Sequence, residues 1–170
     1  MSWLNRKTGI GLAVALVIYL ADQWMKRFVV DDLGLTAIGD TYPLLPFFDF
    51  TRTNNYGVSL GMFEATSMEM RWILVGVTGL IACVVLVWML REKRLWDIIP
   101  LSMVLGGALG NIRDRYSFGY VIDYADFHIG SWQPFLIFNV ADAAISIGVV
   151  IILARALFMR EKPDTEQTAA

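Results

Sequence analysis

The run FLIFNVADAAISIGVVIIL, residues 135–153, is compatible with hydrocarbon along its length except at Asn139 and Asp142. About 20 mostly apolar residues suffice to cross the roughly 30 Å apolar core of a bilayer. Three further stretches meet that standard, so the sequence predicts four spans over about 9–30, 70–90, 96–113 and 134–154. Composition agrees: 56% of the 170 residues are hydrophobic and only 18% are charged, too apolar for an ordinary soluble domain or for a disordered chain. The expected fold is an all-α polytopic membrane protein, with four transmembrane helices and a small extracytoplasmic β-rich cradle and loop.

Charge placement gives the orientation. Arg6 and Lys7 precede the first span, Arg91, Lys93 and Arg94 connect the second to the third, and Arg155, Arg160 and Lys162 follow the fourth. The positive-inside rule puts all three groups, and both termini, in the cytoplasm. The basic start of the first span resembles a signal peptide, but its apolar core runs into ADQWMKRF without a small-residue cleavage site, so a retained span is expected. The polar end EKPDTEQTAA reads as a cytoplasmic tail over 156–170, and residues 1–155 as one membrane-embedded unit.

Two outside segments remain, 31–69 and 114–133. Both are rich in aromatics, threonines and turn residues, which predicts short strands. Trp24, Tyr42, Phe47, Phe48, Trp72, Tyr116, Tyr120, Tyr124 and Trp132 fall near the outer boundary, where amphipathic rings anchor. In the third span, Gly106, Gly107 and Gly110 suit close approach of neighbouring helices.

Depth makes the polar residues informative. At 1.5 Å per residue, Asp22 sits roughly 20 Å from the inner start of its span, and Asn111, Asn139 and Asp142 fall in a similar outer layer. Asn139 and Asp142, three apart, followed by Ser146, give the last span one polar side. Interhelical hydrogen bonds in membranes contribute only roughly 0.6–2 kcal/mol, whereas an Asp at a span centre costs roughly 2.5–3.5 kcal/mol. Asp142 is therefore a functional candidate by default. Asp22 and Lys26 form an acid-before-base pair four residues apart, and Arg113, Asp114 and Arg115 compensate one another locally. Two outside acids, Asp123 and Asp126, compete as partners of Asp142, and the residues alone do not choose between them.

Other chemistries fall away. A net charge of −2 without a long basic block gives no reason to expect nucleic acid as a partner; lipidic or membrane-borne partners fit better. His128 is the only histidine, and neither HExxH nor GxSxG occurs, so zinc and serine-nucleophile motifs are missing. The single cysteine, Cys83, lies in the apolar body of the second span and reads as an inert, packed thiol. Paired carboxylates sharing a proton remain, one serving as base and the other as acid. A proton-coupled carrier or a structural membrane module would also use buried acids.

The ordered stretches DQWMK (22–26), NNYGVSLGMF (54–63), GGALGNIRDR (106–115), VIDYAD (121–126) and FNVADAAIS (138–146) resemble the motifs of the lipoprotein signal peptidase, or signal peptidase II, family. The resemblance spans about residues 8–155. It implies that Asp123 and Asp142 are the catalytic pair, and that Asp22, Lys26, Asn55, Gly57, Asn111, Asp114, Arg115 and Asn139 orient substrate, catalytic groups or helices. Leu60 departs from the phenylalanine common in the family. The implied reaction is removal of the signal peptide from a diacylglyceryl-modified prolipoprotein, on the amino side of its lipidated cysteine. It would proceed without metal or nucleotide, by a monomer in the bacterial inner membrane, with its active site at the outer leaflet.

Overall fold

The structure, a computed structural model, describes residues 6–58, 63–64 and 68–158. Four helices long and apolar enough to cross a membrane organise them: α1 (Arg6–Arg27), α2 (Met68–Arg91), α3 (Leu95–Phe118) and α4 (Val140–Phe158). A π-helical turn, Phe28–Asp32, prolongs α1. Leu60 and the chain beyond residue 158 lie outside the described residues, and residues 156–158 of the expected tail continue α4.

Helix α3 is the common partner, packed on α1, α2 and α4. Its paired glycines explain how. Successive helical residues point about 100° apart, so Gly106 and Gly107 face different neighbours. A Cβ on Gly106 would lie 2.5 Å from the Ala15 carbonyl oxygen of α1, and one on Gly107 would lie 2.5 Å from that of Ala141 in α4. Only glycine lets both backbones come this close. Around this contact, Ala15, Ala82, Met89, Ile98, Leu101 and Leu105 form the core of the bundle, while Leu20, Leu80, Val84 and Val150 point outward, as suits contact with hydrocarbon.

The small sheet follows the antiparallel order β1-β2-β5 and comprises β1 (Thr41–Leu45), β2 (Phe48–Asn55) and β5 (Val121–Phe127). A second pair, β3 (Gly57–Val58) and β4 (Phe63–Glu64), forms a separate two-stranded antiparallel sheet. The sheet packs Phe50, Ile122, Tyr124 and Ala125 against Val29 and Leu35 at the end of α1. Buried Arg52 ties the connecting loop down by donating to the Leu35 carbonyl, the Asn54 side chain and the Tyr120 hydroxyl. At the opposite end of the bundle, Lys7 donates to the Lys93 carbonyl at 3.0 Å and Arg155 pairs with Asp97 at 2.6 Å. The helix ends that carry Arg6, Lys7, Arg91, Arg94 and Arg155 lie on this side, away from the sheet.

Several boundaries differ from the sequence reading. The third helix passes Arg113 and runs to Phe118, because Asp114 is paired inside the bundle; it ends at Gly119, whose φ of +89° closes the left-handed cap. The fourth helix starts at Val140 rather than near 134. The residues before it are irregular, and Phe138 alone bridges to β5: its carbonyl accepts from the Tyr124 and Ala125 amides, and its amide donates to the Ala125 carbonyl. Tyr124 is buried and is not a boundary anchor, whereas Trp24, Trp72, Tyr116 and Trp132 are exposed. Cys83 also faces outward, since α2 buries only Ala82 and Met89 among its described residues.

Candidate active site

At the sheet end, β5 and the start of α4 bring Asp123 and Asp142 into one hydrogen-bonded layer. Asn139 is the hinge of this arrangement. Its Oδ1 accepts from the Asp142 amide at 2.9 Å, capping α4, while its Nδ2 donates to Asp123 Oδ1 at 2.6 Å. Asn139 and Asp142 are therefore related as helix cap and first-turn residue, not as two members of a polar stripe inside a span. Helix dipoles favour negative charge in that first turn. Asp142 Oδ1 accepts from Asn111 Nδ2 at 2.7 Å.

Asp123 is 2% exposed and also accepts from Asn55 Nδ2 at 3.1 Å. The Asn55 side chain is in turn fixed by the Gly57 amide, which donates to its Oδ1 at 3.1 Å. A bulge in β2 sets this register: β2 and β5 slip between Phe50 and Thr53, which leaves Thr53 opposite Asp123 and Asn55 opposite Val121. Burial, followed by the negative charge of Asp142, pushes the Asp123 carboxyl up to about 7, against hydrogen bonds from Asn55 and Asn139 and the charge of Lys26. Strand alternation puts Asp126 on the other face of β5, where Gln133 Nε2 donates to its Oδ1 at 3.2 Å.

Behind the pair lies a buried ionic group. Lys26 Nζ is 2.8 Å from both Asp22 Oδ2 and Asp114 Oδ2, and all three side chains are at most 3% exposed. Both carboxylates also reach other elements. Asp22 Oδ1 accepts from the Ala141 amide of α4 at 3.0 Å, and Asp114 Oδ2 accepts from the Ile122 amide of β5 at 3.3 Å. Lys26 also donates to Asn111 Oδ1 at 3.4 Å, linking this group to Asp142. Gly110 leaves room for the Asp22 carboxylate, which a Cβ would approach to 2.5 Å. Arg115, in the last turn of α3, is half-buried, and its Nε has no hydrogen-bond partner among the described residues.

An open cleft of about 470 Å³ borders Asp142, walled by Phe127, Phe135, Leu136, Phe138 and Ile147. Among the described residues, Asp142 is the only ionisable one in its lining. No group of three or more His, Cys, Asp or Glu suited to a metal ion occurs among the described residues.

The sequence model of the family described as Signal peptidase (SPase) II matches residues 14–158. The chain belongs to the signal peptidase II family. It is 51% identical to the lipoprotein signal peptidase of Sphingopyxis alaskensis, over 89% of this chain and 87% of that one. Against the lipoprotein signal peptidase of Rhizorhabdus wittichii it is 48% identical, over 93% and 90% of the two chains. A solved bacterial membrane enzyme shares the fold with a TM-score of 0.77, at 25% identity and 95% coverage of both chains; a second gives 0.74 at 28% identity, covering 88% of this chain and 94% of that one.

In this signal peptidase II fold, all ten residues singled out from the sequence gather at the sheet end of the bundle. One member of the layer escaped that reading. Gln23, buried in α1, donates through Nε2 to Asp22 Oδ2 at 3.0 Å, Asp114 Oδ1 at 3.1 Å and the Gly110 carbonyl at 3.3 Å. Its signal was its place inside DQWMK, three residues before Lys26 and so on the same helical face. His128 lies away from the layer at the end of β5, with Nε2 3.2 Å from Asp49 Oδ2.

Proposed function

We propose that the chain is an aspartic endopeptidase that removes signal peptides from diacylglyceryl-modified prolipoproteins, cutting on the amino side of the lipidated cysteine. The observation that carries this reading is the pairing of half-exposed Asp142 with buried Asp123, whose carboxyl is pushed up to about 7 by burial and by Asp142. Two carboxylates so coupled hold one proton between them near neutrality. Asp142, beside the cleft, takes a proton from water as the oxygen attacks the scissile carbonyl. Asp123 gives its proton to the carbonyl oxygen, forming a neutral tetrahedral diol. Collapse breaks the C–N bond, returns the diol proton to Asp123 and passes the proton on Asp142 to the departing amine.

The supporting residues have distinct parts in this scheme. Asn139 and Asn55 orient Asp123, Asn111 orients Asp142, and Gly57 fixes Asn55. Asp22, Lys26 and Asp114 hold α1, α3, α4 and β5 in register, and Arg115 faces the reacting carboxylates as a contact for substrate. The aromatic cleft beside Asp142 accommodates the apolar substrate while its acyl chains stay in the bilayer. The sheet and the pair stand at the outer leaflet of the bacterial inner membrane, with both termini cytoplasmic. Residues 1–155 form the peptidase unit, 156–170 a cytoplasmic tail, and one copy suffices without metal or nucleotide.

The substrate claim is tested by incubating the purified chain with a diacylated prolipoprotein and an otherwise identical unlipidated one. Only the diacylated form is expected to be cut. Equal processing of both would contradict the claim.

A further inference from the structure

Asp126 has no part in the reaction scheme, yet it is 6% exposed and sits in β5 directly opposite a second carboxylate, Asp49 of β2. A buried carboxylate is costly unless it is hydrogen-bonded, and like charges facing each other across strands oppose pairing. Each of the two acids has a partner. His128 Nε2 lies 3.2 Å from Asp49 Oδ2, and Gln133 Nε2 lies 3.2 Å from Asp126 Oδ1 and 3.4 Å from its Oδ2. Both partners come from just past the end of β5, so the acids hold the chain that follows the strand.

That chain turns sharply and then returns along the outer edge of the sheet, where β5 is the last strand. Ile129 and Trp132 exchange both backbone hydrogen bonds, at 2.8 and 3.2 Å, around Gly130 at a φ of +61°, a left-handed backbone that favours glycine. Before this turn the His128 amide donates to the Phe47 carbonyl at 3.1 Å, and after it Phe138 bridges back to Ala125. Between those anchors stand Phe135 and Leu136, two walls of the cleft at Asp142. They are 65% and 71% exposed, so little packing of their own fixes them. Strand alternation sets Asp126 on the face of β5 opposite to Asp123 and Phe127. Gln133 therefore grips one face of the strand, while Phe135 and Leu136, two and three residues later, share the cleft with Phe127.

We propose that Asp126 and Gln133 are positioning residues for substrate binding. Their hydrogen bonds latch the segment 129–136 to β5, and so set Phe135 and Leu136 as the wall that receives the apolar part of an acylated peptide. The latch acts on affinity through those two side chains and not on the reacting carboxylates. This role deepens the peptidase reading and rests on it for the identity of the ligand.

The test uses the full chain in phospholipid nanodiscs, with two readouts. The first, amide hydrogen exchange over residues 129–136 followed by mass spectrometry, needs no ligand. Asp126→Ala and Gln133→Ala should each speed that exchange about tenfold or more and leave exchange in α4 unchanged. The second is the affinity for a fluorescent diacylated signal peptide, measured in the Asp123→Asn background so that the peptide is not consumed. Each variant should weaken Kd about fivefold or more, and the two together should do no more than either alone. Asp126→Asn, which keeps an acceptor for Gln133, should stay within about twofold of its parent. With Asp123 intact, kcat should change less than about twofold while KM rises with Kd. Gln133 is exposed, so its variant decides the matter even where Asp126→Ala fails to fold. Unchanged exchange would overturn the latch; faster exchange with unchanged affinity, or a fall in kcat as large as the loss of affinity, would overturn the positioning role. A parent chain that binds no diacylated peptide would sink the substrate reading, and exchange alone would then decide the latch.

Discussion

The two ends of the helix bundle both use ion pairs, but in different ways. Away from the sheet, Arg155 and Asp97 pair at 2.6 Å, with side chains 20% and 28% exposed. At the sheet end, Lys26 serves two carboxylates at once, all three groups are buried, and each also reaches another element. The first arrangement joins two helices. The second fixes where α4 and β5 begin, and those are the elements that carry Asp142 and Asp123. Burying charge is costly unless it is paired and fully hydrogen-bonded, so a network this complete points to a requirement for position rather than for stability alone.

That contrast can be broken from either end. Lys26→Met leaves Asp22 and Asp114 buried without their cation, and should destabilise the folded protein by about 3–5 kcal/mol, read as a fall in the unfolding midpoint in detergent. Next comes Gly107→Ala, which sets a methyl 2.5 Å from the Ala141 carbonyl and should cost about 1–3 kcal/mol. Because α4 carries Asp142, the same variant should also lose cleavage rate. A smaller effect is expected from pH. With Asp123 required as the protonated partner and its carboxyl at about 7, kcat/KM should fall about tenfold per unit above that pH; a flat profile from pH 7 to 9 would remove Asp123 from that role. Least of all, Arg155→Gln should change stability by about 0–1 kcal/mol and leave cleavage intact. An Arg155 effect equal to that of Lys26 would erase the distinction between the ends.

Much of this was legible in the sequence because membranes make polarity expensive. The four spans follow from apolar length, and the shared depth of Asp22, Asn111, Asn139 and Asp142 follows from helical rise. The glycines in GGALGNIRDR announced close packing, and α1 and α4 do approach α3 there. The start of α4 was not legible. FLIF reads as hydrocarbon continuous with the span that follows, and only the bridge of Phe138 to Ala125 in β5 shows that the helix has not yet begun there. This changes the meaning of the Asn139–Asp142 spacing from helical face to helix cap. The choice between Asp123 and Asp126 was equally hidden, because strand alternation separates them only once the register of β5 is known. Gln23 went unnoticed since an amide beside an acid–base pair carries no charge to mark it, although its three hydrogen bonds draw α1 and α3 together.

The central claim is that Asp123 and Asp142 act as one catalytic unit. It is tested most directly by measuring cleavage of a diacylated prolipoprotein by purified Asp123→Asn and Asp142→Asn variants whose unfolding midpoints match the parent chain. Each variant is expected to lose on the order of 10³-fold or more in kcat, and the double variant should lose little beyond either single one. Cleavage at the parent rate by either folded variant would contradict the account.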